Sequence, residues 1–213
     1  MPMEVRRKAA QRGFTLVEIL VVITIIAALI SIVAAVIPKA AAANRKVQCA
    51  NNLHNIGAML VERQTAKGLG TRGGSAMLLQ VYTLGMIRKG DERVFLCPGD
   101  PRQQNMDDPD FRAKYDHIDL NAIDPDIISF AGRNRKFKQI SLASNRKEAY
   151  AVDCQGGDNV SEHHQNGVNC LYDDGSVVFL DREALGIAGT EEPIAIGPTT
   201  NNETLTLFIV IEK

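Results

Sequence analysis

The chain contains no tryptophan and only 5% aromatic residues, and no stretch interleaves basic with aromatic side chains. A surface that stacks bases on rings is therefore missing, and nucleic acid is excluded as a partner. Equally absent are a phosphate-cradling glycine loop, a nucleophile beside a local base and a pair of carboxylates at catalytic spacing, so no enzyme is expected. Net charge is small, −1 over 213 residues, but unevenly spread. Arg6, Arg7, Lys8 and Arg12 against Glu4 give the first 13 residues +3, which leaves −4 for the remainder. Cysteine is sparse at four residues, an even number that fits two disulfides outside the cytoplasm, and metal or redox work inside it.

What the chain does have is one long apolar run. Phe14 to Ile37 reads FTLVEILVVITIIAALISIVAAVI. As a helix these residues would extend about 36 Å, enough for a hydrocarbon core of roughly 30 Å. A secretory signal places a small-residue cleavage site after a shorter apolar core, whereas here the small residue, Gly13, precedes the run. The run is therefore expected to survive processing. Its one anomaly is Glu18, a carboxylate that costs a few kcal/mol in hydrocarbon unless it is paired or lies near the interface. A plain signal anchor whose Glu18 snorkels to the interface is the alternative reading.

Gly13-Phe14-Thr15-Leu16-Val17-Glu18, behind a short basic leader, resembles the cleavage and methylation motif of type IV prepilins and type II secretion pseudopilins. The resemblance implies that a membrane-embedded prepilin peptidase cuts between Gly13 and Phe14 and N-methylates Phe14. Thr15 and Glu18 then stand at assembly positions, Glu18 being the family's acidic residue. On a neighbouring subunit the freed amine of Phe14 would neutralise Glu18 and set the register of a filament. The family also implies an α+β pilin-like fold, in which a long N-terminal helix packs on a small antiparallel sheet.

Past Pro38, which should kink rather than end the helix, helix formers continue to Gly68-Leu69-Gly70. Cys49, Leu53, Ile56 and Leu60 form one apolar stripe at i, i+4, i+7 and i+11, with Arg45, Asn52, Asn55 and Glu62 largely facing out. Gly57 beside that stripe is either a close-packing contact or a tolerated glycine. A short helix is expected around Met77 to Met86, an extended or turn geometry at Cys97-Pro98, and a long irregular surface region over 99–135. Strands are expected at Glu148 to Cys154, Val168 to Tyr172, Val177 to Leu180 and Thr204 to Ile211. Asp174-Gly175 reads as a type I′ hairpin turn. The organisation is thus a leader over 1–13, a membrane and assembly helix over 14–37, its continuation into the body over 38–67, and an α+β body over 68–213.

His164 followed nine residues later by Asp174-Gly175 is similar to the H-x9-DG signature of a group of pseudopilin-like proteins. Val47 to Leu53 and Phe95 to Asp100 resemble two further elements of that group. His164 is expected to hydrogen-bond the turn or Asp173. Asp153, Asp158, His163, His164 and Asp173 form the rival metal constellation, since pseudopilins often hold calcium in a C-terminal acidic loop. The oxygen spacing of an EF-hand is missing, so no cofactor is expected, with calcium as the alternative. Zinc through Cys154, His163 or His164, and Cys170 matches no common ligand spacing. The cysteines are better read as bridges, Cys154 with Cys170 and Cys49 with Cys97, although small buried hydrophobes and other pairings stay open.

The basic leader favours an N-terminus in the cytoplasm and a body beyond the inner membrane, in the periplasm or on a surface filament. Partners implied by the resemblance are other pilins or pseudopilins, prepilin peptidase and an inner-membrane assembly platform. A low-copy adhesin or substrate-binding subunit, using the region 99–147 for recognition, is the competing function.

Overall fold

The computed structural model describes residues 14–67, 72–133, 149–153, 160–161, 167–172, 174–187, 194–195 and 208–209. The chain divides into two compact units, Met1–Ala41 and Ala42–Lys213. Helix α1, Leu16–Lys67, contributes to both and continues through Pro38.

Among the described residues of the first unit, nothing covers the apolar side chains of the helix. Every large apolar side chain from Phe14 to Ile37 is exposed, from 48% at Val21 to 83% at Phe14. Covering these sixteen side chains is worth on the order of 15–25 kcal/mol. The helix is long and apolar enough to cross a membrane.

The second unit is α+β. Cys49, Leu53, Ile56 and Leu60 on α1 are at most 1% exposed, so the stripe spaced for one helix face is the face that is buried. It lies in a core with helix α2, Gly74–Thr83, and with the antiparallel strands β1, Phe130–Arg133, β2, Ala149–Asp153, and β4, Gly167–Tyr172. Strands β5, Val177–Asp181, and β7, Phe208–Ile209, complete a five-stranded sheet in the order β5-β4-β2-β1-β7. Strands β3, Val160–Ser161, and β6, Ile194–Ala195, pair separately. The strand expected over Thr204 to Ile211 is described only at Phe208–Ile209, and the rest of it lies outside the described residues.

Alternation along β4 sorts its residues between two cores. Leu171 joins the α1 side, while Val168 and Cys170 pack with Ala131, Leu185 and Ile194 on the other. Gly57 is a close-packing glycine: a Cβ there would come within 2.6 Å of Leu171 Cδ1. Gly132 on β1 likewise meets the backbone of Gly74, leaving no room for a side chain on that strand face.

Two expectations are corrected. The helix anticipated around Met77 to Met86 begins earlier and ends at Thr83. Gly85, at φ +75°, donates to Tyr82 O and Met86 N donates to Val81 O, a Schellman ending that puts Met86 outside the helix. The region 99–135 was anticipated as irregular surface, but its described part builds core: Met106, Phe111, Tyr115, Ile127, Ile128 and Phe130 are all buried. Its repeated Asp-Pro pairs start short helices rather than loops. Asp100, Asp108 and Asp124 each accept the N–H two residues on, at 2.8, 2.9 and 2.9 Å, with proline in the first helical position. The middle one opens helix α3, Pro109–Ala113.

Candidate functional site

The N-terminal segment starts α1 with a reciprocal cap. Thr15 N–H donates to Glu18 Oε2 at 2.8 Å, Thr15 Oγ1 donates to the same oxygen at 2.9 Å, and Glu18 N–H donates back to Thr15 Oγ1 at 3.3 Å. This is a capping box, with Thr15 at the N-cap and Glu18 three residues in. Two backbone donors that a helix start leaves without partners are thereby satisfied. One carboxylate oxygen of Glu18 is thus held within the chain, while Oε1 accepts nothing among the described residues. Phe14, 83% exposed, lies immediately before the cap, and Gly13 lies outside the described residues.

With that geometry in view, residues 8–34 match the family model described as the prokaryotic N-terminal methylation motif. The segment is a prepilin-type methylation motif. The match supports the prepilin and pseudopilin class and a structural subunit rather than an enzyme; it covers the N-terminal segment and does not reach the body. No curated protein and no solved structure matches the chain. The motif's Thr15-x-x-Glu18 spacing is also a helix-start signature, legible in the sequence but read there only for cleavage and assembly.

In the body, the hairpin at Asp174-Gly175 is present in a different form from the expected type I′ turn. Tyr172 N donates to Ser176 O at 2.9 Å, Gly175 N donates to Tyr172 O at 3.0 Å, and Gly175 sits at φ +79°. That is the pattern of a three-residue connection closed by a left-handed glycine, because one more residue than a two-residue turn separates the closing pair. Asp174 Oδ1 accepts from Ser176 N at 2.9 Å and fixes the turn locally.

His164, the residue expected to hold this turn, lies outside the described residues, as do Cys154, Asp158, His163 and Asp173. The histidine found on the turn is His54 of α1, whose Nδ1 lies 2.7 Å from Gly175 O. Because a carbonyl only accepts, Nδ1 carries the proton in this contact. Asn169 Nδ2 donates to Lys46 O at 3.3 Å, and Lys46 Nζ lies 3.2 Å over the Phe179 ring, so the β4–β5 hairpin is tied to α1 at three places. An exposed polar residue on a helix carries no periodic signal, which is why His54 was missed.

Of the metal constellation, Asp153 ends β2 and the others fall outside the described residues. Among the described residues no group of three or more His, Cys, Asp or Glu is placed to hold a metal ion. Cys49 and Cys97 are both wholly buried in the α1-side core and lie near each other. Cys170 lies in the opposite core.

Asp100, from the Phe95 to Asp100 element, is buried and accepts the Arg102 guanidinium and the Ser129 hydroxyl, while Arg102 Nη1 reaches Pro125 O at 2.7 Å. Glu92 is likewise buried and accepts from Tyr82 Oη at 3.0 Å, Gly90 N at 2.8 Å and Arg112 Nη2 at 3.3 Å. Burial would raise its carboxyl, but these donors outweigh it and hold Glu92 below the ordinary carboxylate range.

Proposed function

We propose that the chain is a structural subunit of a type IV pilus-like or type II secretion filament, cut by prepilin peptidase between Gly13 and Phe14 and assembled through the apolar half of α1. The carrying observation is the coincidence, in one segment, of the methylation motif over 8–34, the capping box and an uncovered apolar helix. The N-terminus would lie in the cytoplasm and the body beyond the inner membrane, following the basic leader. Glu18 Oε2 is retained by Thr15, and Oε1 is the oxygen available to a neighbouring subunit's methylated Phe14 amine. An oxidising location would also let Cys49 and Cys97 close a bridge from helix to body. Alkylation before and after reduction, read on the peptides that carry Cys49 and Cys97, tests that bridge, with both labelled only after reduction as the expected result.

The test of the function is filament incorporation in a host with an assembly system. The wild-type chain should enter the sheared filament fraction, and Glu18→Ala should still be cleaved but drop out of that fraction. Normal incorporation of Glu18→Ala would contradict the role given to Glu18. The second reading is a low-copy adhesin or substrate-binding subunit, for which the open groove lined by Gln48, Asn52, Asn55 and Gln103 would offer a contact surface. Copy number per purified filament separates the two, with abundance marking a shaft subunit and a few copies marking a minor one.

A further inference from the structure

Glu18 and Glu62 are the acidic residues of α1, and none lies between them in the sequence. In that interval stand three cations, Lys39, Arg45 and Lys46, all closely following the end of the apolar run at Ile37. Lys46 is engaged within the body, its Nζ 3.2 Å over the Phe179 ring. Lys39 and Arg45 are exposed. Only alanine, valine, glutamine or cysteine stands three or four residues from either, so the helix offers them no ion-pair partner. The body's cations are treated differently: among its described residues Lys89, Arg93, Arg102, Arg112 and Lys114 each engage a carboxylate.

Their place along α1 indicates the anion they meet. The helix is continuous through Pro38, so at 1.5 Å per residue the Cα of Lys39 lies about 3 Å past Ile37 and that of Arg45 about 12 Å past it. A bilayer about 40–45 Å thick around a hydrocarbon core of about 30 Å has a headgroup layer of about 5–8 Å on each side. Side chains on a helix lean toward its N-terminus and cover the preceding turn, about 5 Å back. In α1 that direction is toward the apolar run, so both charged ends reach the level of the headgroup phosphates, as snorkelling cations do. Six residues apart, they point about 120° from each other around the helix axis, which makes two sides of a collar rather than one pocket.

The two cations stand at the opposite end of the run from the basic leader, where the positive-inside bias gives them no part in setting orientation. Attraction to an anionic lipid surface is the role left to charges at this height. Each cation close to such a surface strengthens association about fivefold.

We propose that Lys39 and Arg45 form a collar that binds the phosphates of anionic phospholipid headgroups at the body-side end of the membrane span. The collar rests on the reading of α1 as a membrane helix, and on neither cleavage nor filament incorporation.

For the test, the chain is made to begin at Phe14, so that the basic leader is absent, and is placed in nanodiscs of phosphatidylcholine and phosphatidylglycerol in equal parts. Native mass spectrometry of the released chain counts the lipids of each kind that stay bound. Phosphatidylglycerol should be retained over phosphatidylcholine by about threefold or more, and Lys39→Gln combined with Arg45→Gln should bring the ratio near one. Lys89→Gln combined with Arg93→Gln, which removes two ion-paired cations of the body, should leave the preference unchanged, and so should inorganic phosphate in the buffer. Equal retention of the two lipids would overturn the collar, as would a preference that survives the changes at 39 and 45. A preference abolished by the changes at 89 and 93, or by inorganic phosphate, would overturn it too. A chain that does not enter nanodiscs at all would contradict the membrane reading itself, and the collar with it.

Discussion

His54 Nδ1 lies 2.7 Å from the carbonyl oxygen of Gly175, although the two residues are separated by 121 positions in the chain. The contact joins α1 to the tip of the β4–β5 hairpin, and the glycine's left-handed φ of +79° helps present that carbonyl. A hydrogen bond at an exposed site is worth about 1 kcal/mol. His54→Ala should lower the unfolding free energy by about that amount, and His54→Asn, with a donor near the Nδ1 position, should recover part of it. Urea unfolding followed by far-UV circular dichroism measures both, and equal stability of all three chains would remove the contact from the account.

Gly57 and Leu171 provide a sharper packing test. Alanine at position 57 gains about 1 kcal/mol of helix propensity, yet its Cβ would fall 2.6 Å from a wholly buried Leu171 methyl. Overpacking of this kind costs about 1–3 kcal/mol, so Gly57→Ala should be net destabilising. Adding Leu171→Val, which removes the obstructing methyl reach, should make the pair less destabilising than the sum of the single changes. Additive behaviour in the double-mutant cycle would contradict close packing.

The Tyr82 and Glu92 pair makes stability depend on pH in a defined sense. Burial, followed by its hydrogen bond to Glu92, pushes the Tyr82 hydroxyl up to about 12. The unfolded value is near 10, so this contribution is complete below about pH 10 and is lost as pH rises through about 12. Glu92 is held low, so its contribution is present above about pH 4.5 and is lost as pH falls through its depressed value. Tyr82→Phe should flatten part of the alkaline loss and shift the acid loss upward by removing one donor from Glu92. Tyr115, also raised by burial, keeps the remainder of the alkaline dependence. Unfolding free energies across pH, with phenolate absorbance, are the check.

Thr15 holds the start of α1 through three hydrogen bonds shared with Glu18. Loss of an N-cap costs about 1 kcal/mol, which corresponds to roughly fivefold in local opening. Thr15→Ala should accelerate hydrogen exchange at the first-turn amides by about that factor in micelles, and Thr15→Ser should not. Unchanged exchange in Thr15→Ala would show that the cap contributes nothing to helix start.

Much of this was legible where a period or a fixed turn chemistry writes it into the sequence. The stripe Cys49, Leu53, Ile56 and Leu60 was readable because a helix buries one face, and the strands from Val168 and Val177 because β-branched residues flank a turn glycine. The Asp-Pro pairs at 100, 108 and 124 were misread, since both residues also mark loops; only the following buried side chains reveal that they start helices. Thr15 and Glu18 were seen as processing and assembly positions, and their capping role was hidden behind that motif. His54 carries no periodic signal, because its meaning depends on a partner, Gly175, that only folding brings to it.

The central claim, that this chain is matured as a prepilin and used through its retained apolar helix, is tested most directly by the mass of its N-terminal peptide. The chain would be isolated from membranes containing an active prepilin peptidase and digested for mass spectrometry. The account predicts a peptide that begins at Phe14 and carries one methyl group on its nitrogen. A terminus still at Met1, or one created beyond Ile37, would contradict it.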